Sequence, residues 1–234
     1  MGKLLRIEFK NLFSGRLIKI ALLIFFILGF TTGIINKIRS GDPYEYTFKL
    51  ALVIIPIVAV FGGSHISKDY IKHTIKNKII VGHTRFNIYM SKQIAVSFLF
   101  LISITLFIGS AIISNLIFIG GIDGDSLLKN LLILFLIVIN LSIITVFISM
   151  SIKKEIGGII PMFVVFIMTT MSYLLSKIEG IFGNIINIII PTSNIMILKS
   201  ESNLNMIISI SYLVILSIFF LFYGLRLFEK SDIK

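Results

Sequence analysis

Cysteine is missing from all 234 residues, so no loop is stapled by a disulfide and neither a thiolate nucleophile nor a thiolate metal site exists. No G-x-x-x-x-G-K-[ST] phosphate loop occurs, which excludes nucleotide hydrolysis by that route. There is no H-E-x-x-H, and Ser64 beside His65 has no suitably placed carboxylate for a triad. Charge is scarce as well: 14% of residues are charged, about half the share of a soluble domain. The eleven acidic residues fall in loops or at the ends of apolar runs, never in the middle of one. A carboxylate at membrane depth is the usual ion or proton site of a secondary transporter, so that class is disfavoured. Two matching half-repeats are also lacking.

What remains is apolar. Hydrophobic residues make up 56% of the chain and the mean hydropathy is +1.03, which describes an all-α integral membrane protein. The net charge of +11 would point to nucleic acid in a soluble protein. In a membrane protein it belongs to the loops instead, and no nucleic-acid partner is expected.

Residues 1–16 read as an interfacial amphipathic helix. Leu5, Phe9, Leu12 and Phe13 share one face, with Lys3, Arg6, Lys10 and Asn11 around the rest to meet lipid headgroups. Basic residues continue to Lys19 without a small-residue cleavage site, so this end is expected to be a retained anchor. Residues 17–228 are expected to form a six-span membrane domain, with spans near 17–35, 50–66, 94–119, 127–150, 156–175 and 204–225. Gly29 and Gly33 form a small-xxx-small pair for close helix packing, within the chain or between copies. Pro56 is expected to bend the second span, and Pro161 lies inside the fifth.

Residues 178–191 hold an apolar stretch too short to cross and broken by Gly183, Asn184 and Asn187, so residues 177–203 are expected to form an extracellular re-entrant segment. Residues 229–234 form a charged tail. With both termini cytoplasmic, all 22 Lys and Arg lie inside except Lys37, Arg39, Lys49, Lys129, Lys177 and Lys199, as the positive-inside rule requires. Asn115, Asn140, Thr105, Thr145, Thr169 and Thr170 are neutral polar groups within spans and suit helix–helix hydrogen bonding.

The long polar break, residues 67–93, is too long for a simple connection. A helix over 68–79 is expected, with Ser67 as N-cap, Asp69 in the first turn, Lys76 and Lys78 late, and Gly82 just past the end. Ile71, Ile75 and Ile79 would then form an apolar ridge. On physical grounds a helix resting on lipid and a helix docking a partner fit equally well. His65, Asp69 and His73 stand at i, i+4 and i+8, a spacing that would serve a metal only if one helix ran through all three. Asp69 and His73 are instead read as solvated.

The run Asp69-Tyr70-x-x-His73-Thr74-Ile75-Lys76-Asn77, followed by Gly82-x-Thr84-Arg85-x-x-Ile88-Tyr89-x-Ser91-Lys92, resembles the loop after the second span of type-2 ABC transporter permeases, notably small ones of peptide-antibiotic immunity and export systems. Their usual pattern has Gly where this chain has His73, and Glu and Ser where it has Asp69 and Thr84. The resemblance extends over the interfacial helix, the spans and the re-entrant segment. It implies a plasma-membrane subunit, not itself an enzyme, that pairs with a second copy or a related permease and binds cytoplasmic ABC ATPase subunits. Those partners would carry ATP and Mg. It also implies an amphipathic peptide or lipid-like substrate, and an ATPase-coupling helix. Lys68, Asp69, Tyr70, Lys72, His73, Thr74, Lys76, Asn77, Gly82 and Arg85 are the coupling residues it implies. The alternative is a membrane immunity or sensor protein that binds a peptide without ATP. An intramembrane enzyme is disfavoured by the missing carboxylates and thiols.

Overall fold

The computed structural model describes residues 1–38, 43–120, 124–175 and 203–231. Among them the regular structure is entirely helical: α1 Gly2–Ser14, α2 Arg16–Ile38, α3 Pro43–Ile71, α4 Thr74–Ile80, α5 Arg85–Phe118, α6 Gly124–Ile152, a 3₁₀ turn Glu155–Gly158, α7 Ile160–Leu175 and α8 Asn203–Lys230. Five segments are long and apolar enough to cross a bilayer, Arg16–Ile38, Leu50–Ile71, Arg85–Phe118, Asn130–Ile152 and Ile210–Lys230. These are the helices of a membrane protein. The expected fifth span is met by the 3₁₀ turn and by α7, whose 16 described residues are fewer than a full crossing needs. Pro161 sits in the first turn of α7, where its missing N–H costs nothing. Helix α3 continues through Pro56. The expected re-entrant stretch, 178–191, lies outside the described residues.

The core is the contact of α3, α5 and α6, where Ile55, Val58, Val96, Phe100, Val138 and Leu141 are fully buried. Helix α2 packs along α5. A Cβ on Gly29 would strike the Phe107 carbonyl and Ser110, and one on Gly33 would strike Ser114, so this small-residue pair admits α5 of the same chain. Ser114 Oγ completes the seam by donating to the Phe30 carbonyl at 2.6 Å. Asn36 Nδ2 donates to Asn115 Oδ1 at 3.2 Å, and Asn140 Nδ2 donates to Ser217 Oγ at 2.9 Å, linking α2 to α5 and α6 to α8.

At 34 residues, α5 is about 51 Å long, well beyond the roughly 30 Å of a hydrocarbon core. Around its first turns gather α1, α4 and the end of α3. Helix α1 turns Leu4, Glu8 and Leu12 inward. The expected apolar face is only partly covered: Phe9 and Phe13 meet Phe98 of α5 edge-on, at 5.1 and 6.3 Å between centroids.

The polar break does not hold one helix over 68–79. Helix α3 runs past the expected N-cap, leaving Ser67 inside it with a buried hydroxyl that has no partner. Nothing between Ile66 and Ile71 breaks a helix, and burial of Ile66 and Asp69 carries it onward. The chain turns instead at His73, whose φ of 53° and ψ of 19° are left-handed. Its N–H bonds the Tyr70 carbonyl at 3.1 Å, and the Thr74 hydroxyl donates to the Asp69 carbonyl at 3.1 Å, so the end of α3 is capped by the residues that start α4. The expected ridge is divided by this turn: Ile75 is buried, Ile79 is partly covered and Ile71 is exposed.

Gly82 is the C′ residue of α4, at φ 95°. Its N–H bonds the Ile79 carbonyl and that of His83 bonds the Lys78 carbonyl, which is a Schellman motif. Thr84 then caps α5 by accepting from the Asn87 N–H.

Candidate functional site

Four charged side chains from four helices meet in the interior. Lys78 Nζ of α4 bonds Glu8 Oε1 at 2.5 Å and Asp69 Oδ2 at 2.9 Å. Lys92 Nζ of α5 bonds Glu8 Oε2 at 3.0 Å and Asp69 Oδ2 at 2.5 Å. Each ammonium thus bridges both carboxylates, and the four groups close a ring with no net charge. His65 of α3 lies 2.8 Å from Glu8 Oε2, and since an ionised carboxylate only accepts, its Nε2–H donates.

Local sequence places each member. Glu8 stands between Leu4 and Leu12 at helical spacing, so the face that buries those leucines buries it too. His65 and Asp69 are one turn apart on α3. Lys92 lies one turn after the buried Ile88, and Lys78 is held by the docking of Ile75. Glu8 and Lys92 have no solvent exposure.

Burial by itself would raise the Glu8 pKa. The His65 hydrogen bond and the charges of Lys92 and Lys78 outweigh it and hold the carboxyl far below its ordinary range. Lys78 is the mirror case: burial favours the neutral amine, but Glu8 and Asp69 keep its pKa above the usual lysine value. A ring of this kind is costly to desolvate, yet removing one partner leaves uncompensated charge inside, at a cost of about 3–5 kcal/mol. The arrangement can lock four helices in one register.

The residues assigned to coupling divide into two groups. Asp69 belongs to the ring and is buried, a correction to its reading as a solvated residue, because α3 continues past it into the packed interior. Tyr70 donates from its hydroxyl to the Met150 carbonyl at 3.2 Å, tying the end of α3 to that of α6. Thr74 caps α3. Arg85 Nη1 donates to the carbonyls of Phe228, Glu229 and Ser231 at the end of α8, at 3.2, 2.6 and 2.6 Å. Lys68, Lys72, His73, Lys76, Asn77 and Gly82 are exposed, beside Ile80 and Val81, which are 72% and 76% exposed. They are the exposed, partly basic rim of this segment, and Ile80 and Val81 are its exposed apolar end.

His65 and Asp69 share a helix face but His73 lies past the turn. Among the described residues no three His, Asp or Glu side chains gather to hold a metal ion. Glu8, Lys78 and Lys92 are site residues that sequence reasoning missed, and His65, weighed there as a metal ligand, bonds Glu8 instead. The legible signal was Glu8, an acid one turn from Leu4 and from Leu12 on a basic helix.

Residues 11–234 match the family described as a protein of unknown function, DUF2705. The chain belongs to the DUF2705 family. No curated protein matches it. The DUF2705 match takes in Asp69, Lys78 and Lys92 and begins three residues after Glu8, so the fourth charge of the ring stands just outside it.

Proposed function

We propose that the chain is the membrane subunit of an ATP-driven exporter of the type-2 ABC class, lying in the plasma membrane with both termini cytoplasmic. In this reading it pairs with a second permease subunit, and separate ATPase subunits bind the rim of Lys68, Lys72, Lys76 and Asn77 together with Ile80 and Val81. Its substrate would be an amphipathic peptide or lipid-like molecule.

One observation carries the reading. The exposed α4 is joined through Lys78 to Glu8 and Asp69, and through them to Lys92, so α1, α3, α4 and α5 move as one block. A push on the tip of α4 therefore reaches both α3 and α5. The charged groups that transmit it are buried, and those that would receive it are exposed.

The test reverses charge on the rim alone. Purified alone, the chain should hydrolyse no ATP, and a separately encoded ATPase should copurify with it. Lys72→Glu with Lys76→Glu should lower ATPase capture by roughly tenfold or more, because like charge at a complementary surface costs several kcal/mol. The thermal unfolding midpoint should stay unchanged. Undiminished capture and export by this double variant would overturn the reading.

A further inference from the structure

Helix α1 carries three stripes. Leu4, Glu8 and Leu12, one turn apart, are buried against the helices of the ring. Phe9 and Phe13 form a second stripe, and Lys3, Arg6 and Lys10, spaced i, i+3 and i+7, form a third that is exposed. Successive residues turn by about 100°, so the basic stripe borders the aromatic one on the side away from the ring. Glu8 is the only acidic residue in 1–38, and the ring takes it up. The charges left on the outside of α1 are therefore all positive, and among the described residues Lys3, Arg6 and Lys10 form no ion pair.

Two observations set α1 at the bilayer surface. Gly15 alone separates it from α2, whose crossing segment starts at Arg16. Phe9 and Phe13 rest on Phe98, which is exposed with Ile94 on the crossing segment of α5, so the aromatic stripe opens onto the lipid-facing side of that helix. A basic stripe one step further round lies where headgroups are.

Position alone would leave α1 resting on lipid. Its inner stripe makes it more, because Glu8 bonds Lys78 and Lys92 and so holds α4 and α5. Docked, the helix offers the membrane aromatic rings and cations and no anion. Undocked, it would either turn Glu8 toward the same surface, where anionic headgroups repel it, or leave Leu4 and Leu12 in water. Anionic lipid therefore binds the docked helix better, and a ligand stabilises the state it binds better.

We propose that α1 reads the charge of the membrane: Arg6 and Lys10, with Lys3, bind the headgroups of anionic phospholipids, and this binding holds Glu8 in the ring. The assignment does not depend on the exporter reading. Lipid charge outside sets how tightly the four-helix ring is closed inside.

The test uses the full chain in nanodiscs of phosphatidylcholine with or without phosphatidylglycerol, read by hydrogen exchange. Amides of α1 should exchange roughly tenfold more slowly with phosphatidylglycerol, an effect within reach of two or three basic side chains near an anionic surface. The slowing should extend to α4, which Lys78 joins to Glu8. Raising salt to about 0.5 M should shrink the wild-type difference.

Arg6→Gln with Lys10→Gln should exchange alike in the two membranes, with the wild-type unfolding midpoint in phosphatidylcholine, because neither side chain takes part in the ring. Equal exchange of wild-type α1 in the two membranes, a lipid dependence unchanged by salt or by the double variant, or slowing that stops at α1 would each overturn the proposal. Equal protection by millimolar inorganic phosphate in phosphatidylcholine would assign the stripe to a soluble anion. Protection by soluble polyglutamate but not by phosphatidylglycerol would assign it to an acidic protein, and either result would overturn the lipid assignment.

Discussion

Lys76 and Lys78 stand two residues apart on one seven-residue helix and meet opposite surroundings. Lys78 points inward and bonds Glu8 and Asp69, whereas Lys76 faces out beside the apolar tip of α4. The same split separates Asp69 from Lys68 and Lys92 from Lys72. A stretch that reads as basic in sequence, Asp69 apart, is therefore two devices, an internal lock and an external rim. Which one a charge joins is set by its helix face, not by its sign.

The sharpest way to break this comparison is to open the lock. Glu8→Ala leaves Lys92 facing Asp69 alone in the interior and should cost about 3–5 kcal/mol, read as a large fall in the unfolding midpoint in detergent. Equal stability of Glu8→Ala and wild type would show that α1 is not held by charge.

Acidification opens the same lock without mutation. The Glu8 pKa lies below its ordinary 4.5, so its contribution is complete above that value and is lost as pH falls through the folded-state value. Lys78, raised above 10.5, contributes fully below that value and is lost only as pH climbs past it. The unfolding midpoint should be flat in this respect between about pH 5 and 10 and fall on the acid side, and Glu8→Gln should flatten the acid limb.

Lys78→Ala against Lys76→Ala tests the split inside one helix. Lys78 is the less buried lysine of the ring, and Lys92 still bridges both carboxylates without it, so the loss should be smaller, about 2 kcal/mol. Lys76→Ala should leave the midpoint in place.

The smallest expected effect is at the turn between lock and rim. His73 holds a left-handed backbone that a side chain disfavours by about 1–2 kcal/mol. His73→Gly removes that strain at some entropic cost and should stabilise the protein by about 1 kcal/mol. A fall in midpoint would show that the imidazole itself has a role there.

Much of the fold was legible because the long apolar runs leave few alternatives to helices: α2, α5, α6 and α8 lie where the hydropathy places them. Gly82 was legible as a stop because φ 95° suits glycine. The turn at His73 was harder, since a histidine carries no such signal and its left-handed backbone follows from the capping of α3. Of the site, only the exposed lysines could be read with any certainty of position. Asp69 was visible, but its burial was not.

Sequence by itself determined that this chain is helical and apolar and that its basic residues crowd the segment after α3; it led to six spans, where the described residues hold five helices of crossing length. Those properties are sums over neighbouring residues. Only the tertiary structure decided that Glu8, Asp69, Lys78 and Lys92 form one neutral ring, because a buried charge is tolerated only beside its opposite. Glu8 and Lys92 are 84 residues apart, and what brings them together is the packing of α1 against α5.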